Sequence, residues 1–171
     1  MAHPQQMGSS LGSGTPRDWT PGSAYSVRLT FTKDGAGNPV FTYSDPIFDE
    51  AASAAGTGSS LDLRVAEDCI IILETDAAKG LYWSLATGAL SLKDGANARY
   101  YFLLKYIDRG VGYDRNSFPQ GKQCSQICFG ARLNTDDPAK DRHPFNLDVE
   151  LERKGQAVPI HIDPDIKNPS V

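Results

Sequence analysis

Short runs of alternating apolar and polar residues constrain the fold of this chain more than any other feature of its sequence. Between Tyr25 and Phe31 every second residue is apolar, which is the period-two pattern of a strand with one buried face. Glycine or proline clusters separate nearly all of the later apolar runs, and no long amphipathic helix pattern lies between them. The sequence therefore predicts an all-β protein, an antiparallel β-sandwich or barrel of about nine short strands with at most one short helix.

The later runs give the positions of the remaining predicted strands. Residues 40–43 follow the turn sequence 34–39 and are predicted to form a hairpin with the first strand. The unbroken apolar run 69–73 favours a strand that is covered on both faces. In chain order, the other strands are predicted at 61–65, 69–74, 81–85, 98–107, 127–133, 145–152 and 158–162.

The N-terminal residues and one helix are the exceptions to this strand pattern. Residues 1–22 are rich in Gly, Ser, Pro and Gln, and they predict a flexible tail because they cannot offset the entropy of ordering a backbone. Residues 23–171 are predicted to form a single β-sandwich domain, since a chain of this length supports one substantial core. Within it, a short helix is predicted with Asp45 as its N-cap, Pro46 in its first turn and Gly56 at its end.

Charge and cysteine content exclude several classes of partner. Seventeen basic and twenty-one acidic residues give a net charge of -4 without long blocks of one sign, so nucleic acid is not an expected partner. The sequence shows no secretory signal pattern and no apolar run of the roughly eighteen residues that span a bilayer, which predicts a cytoplasmic protein that does not bind membranes. The odd set Cys69, Cys124 and Cys128 fits a reducing compartment. Because Cys124 and Cys128 lack the partner ligands of a zinc site, no metal or cofactor is expected.

Two predicted loops are long for a compact domain. Loops such as 108–125 are usually functional or disordered, and this one is the predicted contact surface for a small ligand or a protein. The second loop, 134–144, is acidic but lacks the calcium-loop spacing of an EF-hand, so it is predicted to be solvated. The candidate binding residues of the first loop are Arg109, Tyr113, Arg115 and Phe118.

The last two predicted strands have the pattern of a hairpin. A two-residue turn at Lys154-Gly155 pairs Val149 with Ile160, so that apolar residues face apolar residues as the register requires. The polar face of the hairpin follows from the same register, which collects ionisable groups on one patch.

On that patch Asp148 lies opposite His161 and diagonally adjacent to Asp163. One interpretation is an ordinary favourable pair on a solvated face. The other is that the two carboxylates share a proton, so that one acts as a base and the other as an acid. Such a pair activates water in aspartic-type hydrolysis, or lets Asp163 attack its own carbonyl and release the Pro164 nitrogen. Asp165 is an alternative second carboxylate.

The end of the chain resembles the DP-EP family, a group of small bacterial all-β proteins. The resemblance rests on the strand Ile160-His161-Ile162 followed by Asp163-Pro164-Asp165-Ile166 close to the terminus. A similar strand and Asp-Pro pair occur in the AidA/PixA inclusion-body proteins. The resemblance implies an antiparallel β-sandwich or barrel and, for DP-EP proteins, an aspartic-peptidase-like activity, with Asp163 and Pro164 as the motif positions.

Two functions from different classes follow from these observations. The first is a non-catalytic bacterial β-sandwich protein with a ligand-binding, partner-binding or self-assembly role, which includes homo-oligomers. The alternative is an aspartic-type peptidase, including one that cleaves its own Asp163-Pro164 bond. A third class, thiol redox or metal chemistry at Cys124 and Cys128, ranks below both. The sequence has no Walker loop, Gly-x-Ser-x-Gly elbow or Rossmann glycine run, so its motifs do not indicate nucleotide chemistry.

Overall fold

The computed structural model describes residues 8–44, 61, 63–137 and 139–168. These residues form two mixed β-sheets and contain no α-helix, so the all-β prediction is confirmed. No helix in these ranges is long and apolar enough to cross a bilayer. The strands are β1 (Ser23–Lys33), β2 (Pro39–Ser44), β3 (Leu63–Arg64), β4 (Cys69–Thr75), β5 (Leu81–Trp83), β6 (Leu90–Leu92), β7 (Tyr101–Asp108), β8 (Val111–Tyr113), β9 (Gln126–Ala131), β10 (Arg142–Arg153), β11 (Gln156–Ile162) and β12 (Asp165–Lys167). Short 3₁₀ helices lie at Ala77–Lys79, Gly95–Arg99 and Arg115–Ser117.

The first sheet has the strand order β2-β1-β4-β9-β7-β8. Its neighbouring strands are antiparallel except for β1 and β4, which run parallel. In β4, Ile71 and Leu73 are buried, whereas Ile70 and Ile72 on the opposite face are half-buried. One face of β4 therefore lies in the core and the other is only partly covered. The apolar run 69–73 had predicted that both faces are fully covered.

The second sheet is organised around β10. One edge of this strand pairs with β11 and then with β12, and the other edge pairs with β5 and β6. β3 joins the sheet through a parallel pairing with β12. Because Phe145, Leu147 and Val149 are fully buried, the alternation seen in the sequence corresponds to one core-facing side of β10.

The tight turn predicted between β10 and β11 is confirmed. Lys154 and Gly155 have φ angles of 51° and 76°, and a type I′ hairpin turn requires positive φ at both central residues. Val149 pairs with Ile160, as predicted. The register of this hairpin is therefore set by its turn and by the burial of its apolar face.

Pairing with β10 stops after Ile162 and resumes at Asp165 without a change of register. Between these points the Pro164 carbonyl accepts a hydrogen bond of 3.0 Å from the Phe145 N–H. Proline has no N–H to return, so it interrupts the ladder without displacing the strand that follows. The Asp163-Pro164 dipeptide is thus held against β10 from both sides.

Residues 8–22, part of the segment predicted as a flexible tail, make specific contacts with the sheets. Ser9 forms two backbone hydrogen bonds with Leu92, of 2.7 and 2.8 Å. The Trp19 indole donates to the Ala131 carbonyl at 3.0 Å and packs edge-on against Phe102, with ring centroids 4.9 Å apart. Backbone pairing and one aromatic anchor hold this segment, and neither produces a periodic pattern in the sequence.

The structure differs from the predicted strand pattern in several places. β6, β8 and β12 have no predicted counterpart, because three residues are too few to show a period. The strand predicted at 98–107 begins at Tyr101, since the preceding residues form the 3₁₀ helix Gly95–Arg99, which Asp94 caps by accepting from the Ala96 N–H. Two pairings are parallel, although an antiparallel fold was predicted. The helix predicted between Asp45 and Gly56 lies outside the described residues.

One hydrophobic core is shared by the two sheets, as in a β-sandwich. Trp83 of β5 is 1% exposed, and its indole N–H donates to the Leu73 carbonyl on β4 at 3.1 Å. A buried indole N–H needs a partner, and this one is satisfied across the interface between the sheets. The contact therefore links the sheets through a directional bond as well as through apolar packing.

A buried polar network lies beside this core. The Tyr101 hydroxyl is 2.5 Å from His143 Nδ1, and His143 Nε2 is 3.1 Å from the Lys140 carbonyl. A carbonyl can only accept, so Nε2 carries the proton and Nδ1 accepts from Tyr101. The Asn168 amide donates to the Tyr101 hydroxyl at 3.3 Å. Burial lowers the pKa of His143 and raises the pKa of Tyr101, which keeps both groups neutral.

We predict that Tyr101→Phe lowers the free energy of unfolding by about 1–3 kcal/mol, because it leaves His143 Nδ1 and the Asn168 amide without their buried partner. Urea denaturation at neutral pH measures this loss. Tyr100→Phe is the matched control, since Tyr100 is equally buried and its hydroxyl has no hydrogen-bond partner among the described residues. Its removal should leave the unfolding free energy unchanged or raise it. Equal losses in the two variants would contradict the network.

Candidate functional site

A cavity of about 770 Å³ lies where the N-terminal segment, the turn between β5 and β6, the middle of β7 and the β10–β11 hairpin meet. Sites for small molecules are commonly of this size and combine an apolar lining with a few polar groups. The charged residues of its lining are Lys105, Asp114, Arg115, Asp148 and His161, and the leucines are Leu11, Leu90, Leu103 and Leu104.

An irregularity in β7 shapes one wall of the cavity. The pairing of β7 with β9 shifts register between Phe102 and Lys105, and Leu103 has a left-handed φ of 58°, which is rare for a bulky residue. Without this shift Lys105 would lie opposite Ile127, on the core-facing side of the sheet, but it lies opposite Cys128 on the other face, and it lines the cavity together with Leu103 and Leu104. The bulge therefore brings Lys105 to the cavity, and bulges are common beside functional sites.

Arg115 reaches the cavity from the start of the 3₁₀ helix Arg115–Ser117. Its Nη1 donates to the carbonyl of Ala86 at 2.9 Å and, more weakly, to that of Leu85 at 3.4 Å. Both carbonyls belong to the turn between β5 and β6, so the bonds fix the guanidinium in place. The Nε and Nη2 groups have no hydrogen-bond acceptor among the described residues. These N–H groups are the donors that a ligand would meet.

His161 lies between two carboxylates. Its Nδ1 is 2.8 Å from Asp148 Oδ1, and its Nε2 is 2.7 Å from Asp163 Oδ1. The Lys93 ammonium is 3.1 Å from the same Asp163 oxygen. Two carboxylate acceptors require a proton on each ring nitrogen, so this arrangement favours the imidazolium.

The backbone positions this group of side chains. Asp148 pairs with His161 across the β10–β11 ladder. On its other edge, the Asp148 N–H donates to the Ala89 carbonyl at 2.9 Å and its carbonyl accepts from the Ser84 N–H at 3.0 Å. Asp148 is therefore held between the hairpin and the turn that also binds Arg115, so the cationic and the acidic parts of the cavity share one support.

The electrostatics agree with a charged imidazole. Burial alone would lower the pKa of His161, but the hydrogen bond and the charge of Asp148, with those of Asp163, outweigh it and raise this pKa above its ordinary value. Burial alone would raise the pKa of Asp163, but Lys93 and His161 hold it below its ordinary value. An imidazolium between two carboxylates is therefore the state favoured on the acid side of neutrality.

The structure brings together Asp148, His161 and Asp163, the residues that the sequence predicts to be catalytic. It joins the two carboxylates through the imidazole, however, and not through a proton that they share directly. Asp165, the alternative second carboxylate, lies 3.2 Å from the Arg142 guanidinium. The catalytic role of these residues stays a prediction, and its geometry is that of an imidazole with two acidic partners.

The predicted binding residues are divided between the cavity and its surroundings. Arg115 lines the cavity. Arg109 is exposed at the turn between β7 and β8, outside the lining. Tyr113 and Phe118 pack edge to face with ring centroids 5.9 Å apart, and Phe118 is buried. In this structure the two aromatic residues stabilise the loop that carries Arg115.

Several residues of the site have no counterpart in the sequence predictions. Lys105 lies in a predicted strand, and the residues around it do not predict a bulge. Lys93 follows β6, which is too short to predict. The predicted register places Asn146 on the polar face of the hairpin, opposite Asp163, but its bond to the Ser91 hydroxyl, which accepts from the Asn146 amide at 3.0 Å across the β10–β6 pair, was not predicted. The one local feature of the sequence that could have pointed to these residues is the glycine and serine content of the N-terminal segment, because small residues permit a close approach of the backbone to other groups.

Metal and thiol chemistry receive no support from the described part of the chain. Within it, no group of three or more His, Cys, Asp or Glu residues could hold a metal ion. The cysteines are free thiols. Burial raises the pKa of Cys69 to about 12, and it also raises those of Cys124 and Cys128. Raised values disfavour the thiolate, which is the reactive form.

The fold is that of an all-β protein with two mixed sheets, and its cavity is lined by both cationic and acidic groups. A comparison with protein families matches residues 26–171 to pNTSase1, which is described as a predicted novel nucleotide synthetase. Because the match covers most of the chain, the protein belongs to this family. A comparison with curated proteins finds no match. The matched family is neither DP-EP nor AidA/PixA, and the resemblance to those proteins stays a prediction.

We predict that Asp148→Asn lowers the pKa of His161 more than Asp163→Asn does, because the hydrogen bond to Asp148 contributes more than either interaction with Asp163. A titration of the imidazole ¹⁵N resonances by NMR measures both shifts. The chain has three histidines, so loss of one signal in His161→Gln assigns it. Asp114→Asn removes the same charge from the same cavity and should change this pKa least. An unchanged His161 titration in Asp148→Asn would contradict the geometry.

Proposed function

We propose that this protein binds a nucleotide in the cavity and takes part in nucleotide synthesis there. The observation that carries the proposal is the convergence of Lys105, Arg115 and His161 on one cavity of about 770 Å³. Three groups that bear or can bear positive charge, gathered in a concave site, suit an anionic ligand. The family is described as a predicted novel nucleotide synthetase, and a nucleotide is an anionic ligand.

The cationic groups are of the kind that binds phosphate. A guanidinium offers a planar set of donors that matches two phosphate oxygens, and an ammonium adds a compact charge. Because the carbonyls of Ala86 and Leu85 already hold Arg115 Nη1, less side-chain entropy would be lost when a ligand binds. Lys105 would exchange Asp114, which is 2.7 Å from its ammonium, for a phosphate oxygen.

The rest of the lining suits a nucleoside. Leu11, Leu90 and Leu104 provide apolar surface for the faces of a base. Asn146 and Ser91 provide amide and hydroxyl groups that can hydrogen-bond to the edge of a base or to ribose hydroxyls. Phosphate-binding and nucleoside-binding groups thus occur together.

This proposal retains ligand binding, the first function inferred from the sequence, and specifies the class of ligand. It assigns phosphate recognition to side chains, which explains why a search for glycine-rich phosphate loops does not indicate nucleotide chemistry. Within the proposal, His161 is the group that can donate or accept a proton near neutral pH, with Asp148 holding its ring. A cytoplasmic location and self-association stay predictions.

We predict that Lys105→Gln and Arg115→Gln each weaken nucleotide binding at least tenfold, a loss of about 1.4 kcal/mol, because each removes one phosphate-binding cation. Isothermal titration calorimetry with ATP, GTP, CTP and UTP in the presence of Mg²⁺ measures the affinities. Release of phosphate or pyrophosphate from the nucleotide that binds tests the synthetic part of the proposal.

Arg109→Gln is the matched control, since it removes the same charge from the same loop but from a residue that does not line the cavity. Its affinity should equal that of the unaltered protein. If the unaltered protein binds none of the four nucleotides, the proposal is wrong. If it binds one of them but neither phosphate nor pyrophosphate is released from that nucleotide, only the binding part of the proposal stands.

Self-cleavage at Asp163-Pro164 is a second candidate function, favoured by the contacts that hold the Asp163 carboxylate ionised beside His161 and Lys93. The carboxylate would attack its own main-chain carbonyl and break the bond to the Pro164 nitrogen, which takes up a proton. Water would then open the cyclic anhydride. A tertiary amide nitrogen is a good leaving group once it is protonated, and the nucleophile is already in place.

This candidate predicts loss of residues 164–171 during incubation for several days at mildly acidic pH, as measured by intact-mass spectrometry. The chain contains two further Asp-Pro dipeptides for comparison, Asp45-Pro46 and Asp137-Pro138, which share the chemistry of the bond. Preferential cleavage at Asp163-Pro164, abolished in Asp163→Asn and slowed in His161→Gln, would support the candidate. Equal cleavage at all three sites would indicate ordinary acid lability, and an unchanged mass would exclude self-cleavage under these conditions.

A further inference from the structure

One wall of the cavity is formed by a segment that precedes the region matched to the family. Gly8, Ser10, Leu11, Gly12 and Ser13 line the cavity, whereas the family match begins at residue 26. The cavity of this chain is therefore completed by residues that the family comparison does not cover. They contact β7 through Gly12.

Gly12 contacts β7 through both of its backbone groups. Its N–H donates to the Tyr101 carbonyl at 3.0 Å, and its carbonyl accepts from the Leu103 N–H at 2.9 Å. The second bond ends on the residue whose backbone is left-handed, at the start of the register shift that brings Lys105 to the cavity. A bulge leaves backbone groups without partners in the sheet, and Gly12 supplies the acceptor for one of them.

The position of Gly12 admits no side chain. A Cβ atom there would lie 2.6 Å from the Ala98 carbonyl oxygen and 3.3 Å from Phe102 Cβ. The first of these is a backbone atom and cannot move aside as a flexible side chain does. Gly14, two residues further on, has no atom within 4 Å of such a Cβ, so the two glycines differ in the space around them and not in chemistry.

We propose that Gly12 is a positioning residue for the nucleotide site, which acts through the β7 bulge by directing Lys105 towards the phosphate groups of the ligand. The bond from Leu103 to the Gly12 carbonyl stabilises the left-handed residue, and this residue sets the direction of the strand that carries Lys105. Removing the bond allows β7 to return to regular alternation, which moves Lys105 away from the cavity. This inference rests on the proposed function.

The test is a double-mutant cycle in the full chain, with the nucleoside triphosphate that the unaltered protein binds as the probe. Gly12→Val should weaken binding at least tenfold, and Gly14→Val should leave it unchanged. If Gly12 acts through Lys105, then Lys105→Gln should cost little further affinity in the Gly12→Val background, because coupled residues are non-additive. An effect of Gly12 that does not pass through Lys105 would instead make the two losses additive.

Displacement of residues 8–22 from the sheets is measured without any ligand. Trypsin cleavage after the exposed Arg17, and a change in the fluorescence of Trp19, should accompany Gly12→Val but not Gly14→Val. Should thermal melting show Gly12→Val to be unfolded, Gly12→Ala carries the test, since its Cβ meets the same carbonyl.

The outcomes separate the two proposals. Absence of nucleotide binding by the unaltered protein overturns the proposed function. Normal binding by a Gly12 variant whose segment is displaced overturns the positioning role while leaving the proposed function intact. Additive losses in the cycle also overturn it, because the effect then does not pass through Lys105.

Discussion

The pairing of both edges of β10 is the constraint on which the rest of the second sheet depends. β11 and β12 follow one edge in a single register, and β5 and β6 follow the other. A slip of one residue would turn the buried face of β10 outwards. The same register sets the Asp148-His161 pair, so the burial of Leu147 and Val149 also determines the chemistry of the polar face.

The candidate site combines this rigid hairpin with a strained region of the first sheet. The hairpin holds Asp148, His161 and, beyond its last pair, Asp163. The bulge in β7 presents Lys105, and the turn between β5 and β6 holds Arg115. Arg115 and the hairpin thus share the β5–β6 turn as a support, and Lys105 reaches the same cavity from the bulge. Strained backbone persists only where its surroundings over-determine it, and the Gly12 carbonyl bonded to Leu103 is part of those surroundings.

The hairpin at the C-terminal end could be predicted because all of its determinants are local. Its turn residues, alternation and short connection specify a register by themselves, and Asp148 and His161 follow from it. The parallel pairing of β1 with β4 could not be predicted in this way, since alternation shows which face is buried but not which strand lies beside it. Residues 8–22 were misleading for a related reason. Their low apolar content predicts a tail, yet backbone bonds to Leu92 and Tyr101 and the Trp19 anchor hold the segment against the sheets.

The sequence by itself determined the all-β class, the terminal hairpin and the polar residues that this hairpin gathers, because a period of two, a tight turn and apolar burial act between near neighbours in the chain. Tertiary structure alone decided that Lys105 and Arg115 share a cavity with His161, and that His161 bridges two carboxylates. The first arrangement joins residues far apart in the chain, and it depends on a bulge, on sheet packing and on a glycine whose importance lies in what surrounds it. The second depends on side-chain orientation, which the register of the hairpin does not fix.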